Sequence, residues 1–351
     1  MLRYRLFGNT GLRVSELCLG TMSFGDAWGF GADAGTSHAV LDRFFDLGGN
    51  FVDTANLYHG GQTEEILGSW FAAEPSRRHR TVLATKCTLA MDHGDVNSAG
   101  AHRKNLERAV EDSLRRLQTD HIDLLWVHCW DQYTPMAETM RAMDDLVRSG
   151  KVRYIGASDT PAWVVSASNV LAELRGWTPF AGIQVEYGLL SRTPERDLVP
   201  MASHTGLSVV SWGALGGGVL TGKYTRDGDN DSLRKGGNDA RGRTTEDKLA
   251  IAREVDAVAD ALGCSSAQVA LAWLQGRGYH SIPIVGARKV SQIEDCVGAA
   301  AVTLPEEARA RLDAASAVEL GFPHDFLREP HVRKTTYTKQ VGRIVPPPRG
   351  R

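Results

Sequence analysis

No run of the chain reaches the roughly 18 consecutive apolar residues that a membrane-spanning helix needs. The opening MLRYRLFGNTGLRV also lacks the apolar core of a secretory signal. Neither a span nor a leader is expected. Cysteine is scarce, with five residues scattered at positions 18, 87, 129, 264 and 296 and no CxxC pair. That odd, dispersed set offers neither a disulfide framework nor a metal site, and it suits a reducing cytoplasm. Charge of one sign is missing as well: 40 Lys and Arg stand against 42 Asp and Glu, a formal net charge of -2. Nucleic acid and anionic membranes are therefore not expected partners. Finally, the segment after the first apolar run reads GTMSFG, so the GxGxxG turn of an open dinucleotide-binding sheet is lacking there.

What the chain does contain is alternation. Short β-branched and apolar runs at 17–21, 50–53, 81–86, 122–128, 152–158, 182–186, 207–212 and 281–285 read as strands. Between them, segments with apolar residues three and four apart read as helices at 37–47, 64–71, 102–117, 135–149, 161–174, 197–205 and 290–300. Met136, Met140, Met143 and Val147 show that spacing, and Thr134-Pro135 and Thr160-Pro161 are helix-start signals. Eight β-α repeats imply a parallel sheet with right-handed crossovers. They fit a closed (β/α)8 TIM barrel of the α/β class better than the alternative, an open doubly wound sheet. Residues 1–316 are expected to form that single barrel domain. The stretch RYRLFGNTGLRVSELCLG is read as an N-terminal β-hairpin closing its bottom. A long loop at 213–245 follows the seventh strand, with further helices at 246–262 and 266–277 before the eighth. Residues 317–351 are expected to be a partly ordered C-terminal tail, whose FPHDFL segment is a candidate cover for the opening.

Four residue types close apolar runs: Asp53 and Tyr58 in FVDTANLY, Lys86 in VLATK and His128 in IDLLWVH. Strand ends of a parallel barrel converge on one mouth, so these residues can meet there. A free phenol titrates near pH 10, and a neighbouring ammonium is expected to lower that value. Tyr58 is accordingly the candidate general acid, Lys86 its cation, Asp53 the anchor of Lys86, and His128 a hydrogen-bond donor to a substrate oxygen.

From YRLFGNTGLRVSELCLGTMSFG through DTANLY and ATK to GARKVSQIED, the chain resembles the aldo-keto reductases, over about residues 1–316. The resemblance implies NADPH-dependent reduction of a small-molecule aldehyde or ketone, with Asp53, Tyr58, Lys86 and His128 as the catalytic set. It assigns cofactor binding to Thr21, Met22 and Asp53 and the nicotinamide carboxamide to Ser158, Asp159 and Gln184, with Trp212 as a stacking face. The loop 213–224 would cross the pyrophosphate through Gly213, Leu215 and Gly217, with Lys223 adding charge. Gly286, Arg288, Gln292 and Asp295 would hold the adenosine end and its 2′-phosphate. Two positions depart from the family: Asp159 and Cys296 stand where asparagine is usual. A rival reading, G-x-x-x-x-G-K at Gly217 to Lys223 as a phosphate loop, lacks the following hydroxyl because residue 224 is Tyr. Trp28, Phe30 and Trp130 are candidates for the substrate pocket. An alternative within the same resemblance is a regulatory subunit that binds the cofactor with little turnover.

Overall fold

The computed structural model describes residues 1–226, 235–278, 281–338 and 340–345. Strand β1 (Tyr4–Leu6) pairs antiparallel with β2 (Arg13–Ser15), giving the expected hairpin. Eight parallel strands then close into a barrel in the order β10-β3-β4-β5-β6-β7-β8-β9. They are β3 (Cys18–Gly20), β4 (Phe51–Asp53), β5 (Val82–Cys87), β6 (Ile122–Val127), β7 (Val152–Ser158), β8 (Phe180–Glu186), β9 (Ser208–Trp212) and β10 (Ser281–Gly286). Each strand expected from the sequence forms, within about two residues of its anticipated limits.

The period of two along each strand divides the apolar residues into two cores. Phe51, Val82, Ala84, Leu124, Trp126, Val210 and Ile282 belong to a cluster inside the barrel. Their neighbours Val52, Leu83, Leu125, Val127, Ile183 and Val209 belong to a larger cluster between the barrel and its helices. The same parity turns Asp53 and Lys86 inward, one step above Phe51 and Ala84. Register then places Asp53 opposite Ala84, two residues before Lys86 on β5, Lys86 opposite Trp126, and Ser158 opposite Gln184.

The hairpin closes the bottom with an aromatic plug. Phe7 is fully buried and meets Phe51 and Trp126 edge-on, with ring centroids 5.9 and 6.2 Å away. The Gly8 amide donates to Ser208 Oγ at 2.7 Å, fastening the plug. Two strand glycines make room for this packing. A Cβ on Gly182 would lie 2.7 Å from the Phe7 ring, and one on Gly156 would lie 2.3 Å from the Trp126 ring.

The anticipated helices form between the strands. Among them, Ser266–Gln275 opens with a capping box made by Ser265 and Gln268. The helices Pro75–Arg80 and Glu306–Ala315 were not anticipated, because each buries only one residue and so lacks an apolar stripe in the sequence. In the tail, His324–Arg328 and Pro330–Tyr337 bury no residue. Arg196 Nε donates to the Leu320 carbonyl at 2.9 Å and ties the tail's start to the barrel. Phe322 is 82% exposed and rings with Phe326 at 6.0 Å. The Pro- and Arg-rich end at 346–351 and residues 227–234 of the long loop lie outside the described residues. Among those described, no single helix is long and apolar enough to cross a membrane.

Truncating the plug tests this account of closure. Phe7→Ala should cost about 3–5 kcal/mol in urea denaturation. An unchanged midpoint would mean that the hairpin does not seal the barrel.

Candidate active site

Asp53 ends β4, Lys86 is the penultimate residue of β5, and Tyr58 opens the short turn Tyr58–Gly61 after β4. Barrel closure brings these groups into contact at the C-terminal ends of the strands. Lys86 Nζ hydrogen-bonds Asp53 Oδ2, donates to the Thr54 carbonyl at 2.8 Å and donates to Tyr58 Oη at 3.0 Å. An ammonium has three protons, and all three are engaged. The Tyr58 oxygen is thus an acceptor for Lys86, which leaves its own proton for the mouth. Gln184 Nε2 donates to Asp53 Oδ1 at 2.9 Å and holds the second carboxylate oxygen. His128 follows β6 and presents its ring to Tyr58, centroids 6.1 Å apart and nearly perpendicular.

The electrostatics correct one expectation. Burial raises the Tyr58 phenol above its ordinary value, and the pull of Lys86 in the other direction does not overcome it. The physical reason is the desolvation of a phenolate at this depth, to which Asp53 adds by opposing part of the field of Lys86. The phenol is therefore fully protonated at neutral pH. Burial also opposes the Lys86 ammonium, but Asp53 and Tyr58 outweigh it and hold the group above the usual lysine value. His128 is pushed down to about 3, first by burial and then by Lys86. Its imidazole is neutral, and its buried Nδ1 has no partner among the described residues.

Around this group stands a polar rim. Thr21 donates through both its amide and its hydroxyl to the Asp53 carbonyl, at 2.9 and 3.0 Å. Asp159 adopts a left-handed backbone, φ 43°, at the end of β7. Trp212 Nε1 donates to its Oδ1 at 3.1 Å. Burial, with Glu186 adding to it, keeps the Asp159 carboxyl above the ordinary carboxylate range despite that bond. Ser158 is buried beside it. The loop after β9 turns on Gly216, Gly217 and Gly218, all with positive φ. It is pinned by Asn238 Nδ2, which donates to the Gly217 carbonyl at 3.2 Å. Lys223 is half-buried and Gly213 turns with φ 72°. Leu215 packs on the outer core. At β10, exposed Gly286 leads to half-buried Arg288. The Arg288 amide donates to Gln292 Oε1 at 2.8 Å, in the first turn of the helix Val290–Gly298. Asp295 accepts from Gln268 Nε2 at 3.0 Å, and Cys296 is buried.

Trp28 and Phe30 form one aromatic wall, ring centroids 6.1 Å apart. Trp28 stacks on His59 at 4.7 Å and meets Tyr58 edge-on at 6.3 Å. The Trp28 amide donates to His59 Nδ1 at 3.2 Å, so the ring proton lies on Nε2, which donates to the Met22 carbonyl at 3.1 Å. Trp130 is placed differently: its ring meets Trp163 at 5.7 Å, on the helix Ala162–Arg175.

The sequence pattern of the Aldo/keto reductase family matches residues 16–317. The chain belongs to the aldo/keto reductase family. A norsolorinic acid reductase of Aspergillus flavus is 38% identical over 332 residues, covering 92% of this chain and 83% of that protein. An aryl-alcohol dehydrogenase of Pestalotiopsis microspora is 36% identical over 333 residues, covering 93% and 85% respectively. A putative aryl-alcohol dehydrogenase of Saccharomyces cerevisiae is 36% identical over 341 residues, 93% and 89%. The protein is accordingly an oxidoreductase.

Three features of this aldo/keto reductase escaped sequence reasoning. His59 was passed over because it immediately follows the tyrosine and carries no strand signal. Glu186, inward by the same parity as Gln184, could have been found from the period of two. Its partner Arg243 could not, because it lies 57 residues further along the chain.

The neutral state of His128 can be observed directly. Its ring proton resonances should not titrate between pH 8 and pH 5 in NMR spectra of the cofactor-free protein. A midpoint near the ordinary histidine value would show that burial does not enforce neutrality.

Proposed function

We propose that this aldo/keto reductase reduces an aldehyde or ketone to an alcohol with NADPH, Tyr58 supplying the proton. The observation that carries the proposal is the Lys86 contact set: every ammonium proton is spent, and the phenol it touches keeps its own proton free. The rim supports a dinucleotide fit. The glycines after β9 present bare backbone, Asp159 and Gln184 offer acceptors for a carboxamide, and Trp212 offers a flat face. Thr21, Met22, Ser158, Gly213, Leu215, Gly217 and Lys223 would complete that cradle. Gly286, Arg288, Gln292 and Asp295 would hold the adenosine end, with the Arg288 guanidinium suited to a 2′-phosphate.

When bound, the reduced nicotinamide supplies the hydride that forms the new C–H bond. Tyr58 gives its proton to the carbonyl oxygen as the π bond breaks, forming the O–H bond. Lys86 stabilises the phenolate left behind, Asp53 and Gln184 keep Lys86 in place, and the phenol is reloaded from solvent. Neutral His128 donates to the same oxygen and orients it without competing for the proton. The wall of Trp28, Phe30 and His59, with Trp28 41% exposed, suits an aromatic ring beside the carbonyl. Its relatives, an aryl-alcohol dehydrogenase among them, point the same way. Aryl aldehydes and ketones are therefore the proposed substrate class.

Tyr58→Phe should lower NADPH-dependent turnover of an aryl aldehyde by roughly a hundredfold or more while cofactor binding persists. Lys86→Met should behave similarly. Near-normal turnover in Tyr58→Phe would remove the phenol from the mechanism. Uptake of NADPH by the unaltered protein without its oxidation across aryl carbonyls would instead mark a regulatory subunit. Because the folded phenol is held above its usual value of about 10, carbonyl reduction should stay level through neutral pH and decline only on the alkaline side. Alcohol oxidation, which needs the phenolate, should rise there. A reduction limb that falls near neutrality would contradict this assignment. Arg288→Ala should weaken NADPH much more than NADH in fluorescence titrations; equal losses would exclude a 2′-phosphate contact.

A further inference from the structure

A cavity of about 260 Å³ lies outside the barrel wall, between β6 and β7 and the helices Met136–Arg148 and Ala162–Arg175. Its floor is core: Val127 and Ala157, turned outward from the barrel by strand parity, with Phe180 beside them, none more than 5% exposed. The wall of β6 and β7 separates this space from the inward-facing Lys86 and Tyr58. Trp130 and Trp163 form its rim, edge to face at 5.7 Å, and Trp163 is 63% exposed.

Two features distinguish the cavity from a packing defect. Small side chains line it at Ala157 and Ser168, on facing strand and helix, and leave the space between them open. The Ser168 hydroxyl, on a residue only 3% exposed, has no hydrogen-bond partner among the described residues and opens into the cavity. The hydroxyl makes no protein hydrogen bond yet stays accessible from the cavity, so it offers an occupant a hydrogen-bonding handle. The rest of the lining restricts what that occupant is. The Asp131 carboxylate is committed to the Ala101 and Tyr133 amides, each at 2.9 Å, and to Thr134 Oγ1 at 2.5 Å. Its charge repels anions, and among the described residues no cation lines the cavity. Apolar walls, two indole edges, the Ser168 hydroxyl and the Gln132 side chain at the rim select an uncharged one- or two-ring aromatic with a polar group.

We propose that this cavity is a second ligand site, separate from the mouth, for a neutral aromatic molecule of phenol or naphthol size. The proposal is independent of the reductase reading. The Trp130 amide, 3.5 Å from the Asp159 carbonyl, is the structural link between the two sites.

Isothermal titration calorimetry with 2-naphthol on the cofactor-free protein tests it. The unaltered protein should bind, and Ser168→Leu, which fills the cavity from the helix, should weaken binding at least tenfold. Thr139→Ile fills it from the opposite wall and should act in the same direction, which guards against misfolding of one variant; thermal melts followed by circular dichroism check both. Trp28→Ala, at the mouth, should bind 2-naphthol as the unaltered protein does. No binding by the unaltered protein, or undiminished binding in both filled variants, would overturn the proposal. Loss of binding in Trp28→Ala with retention in the filled variants would assign the probe to the mouth instead.

Discussion

Burying an ammonium beneath the mouth of a barrel is costly unless every proton finds an acceptor, and Lys86 meets that condition with a carboxylate, a backbone carbonyl and a phenol. Each acceptor comes from the β4 end or the turn after it, so the site exists only where β4 and β5 lie side by side in register. Asp53 is held in turn by Gln184 from β8, across the barrel. The barrel's closure and the position of one charge are therefore the same constraint seen at two scales.

From that constraint the electrostatics follow. Lys86 stays charged because Asp53 faces it, and His128 stays neutral because it is buried near Lys86. Tyr58 keeps its proton because burial outweighs the pull of a cation that is already paired. At one pH the Lys86 ammonium is thus charged while the Tyr58 phenol and the His128 imidazole beside it are neutral. That division fits the role proposed for Tyr58 as proton donor, with Lys86 beside the charge left behind and His128 orienting without titrating.

The rim is fastened by contacts spread widely along the chain. Trp212 to Asp159, Arg243 to Glu186 and Asn238 to Gly217 tie β7, β8, β9 and the long loop together. The Asp159 carboxylate, where the family resemblance suggests asparagine, serves as the acceptor for the Trp212 indole.

Much of the fold was legible in the sequence, since strand and helix periods are local properties of side-chain order. The eight strands, the closing hairpin and the placement of Asp53 and Lys86 at strand ends needed only that order. The tail helices and Pro75–Arg80 were not legible, because elements that bury almost nothing leave no apolar pattern. Among the candidate site residues, Asp53, Tyr58, Lys86 and His128 announced themselves by standing at the ends of apolar runs. The raised phenol of Tyr58, the separation of Trp130 from the wall of Trp28 and Phe30, and the pairing of Glu186 with Arg243 were decided only by the tertiary structure. Burial, ring contacts and the pairing of charges across long stretches of chain depend on which surfaces meet when the barrel closes, and no local spacing encodes that.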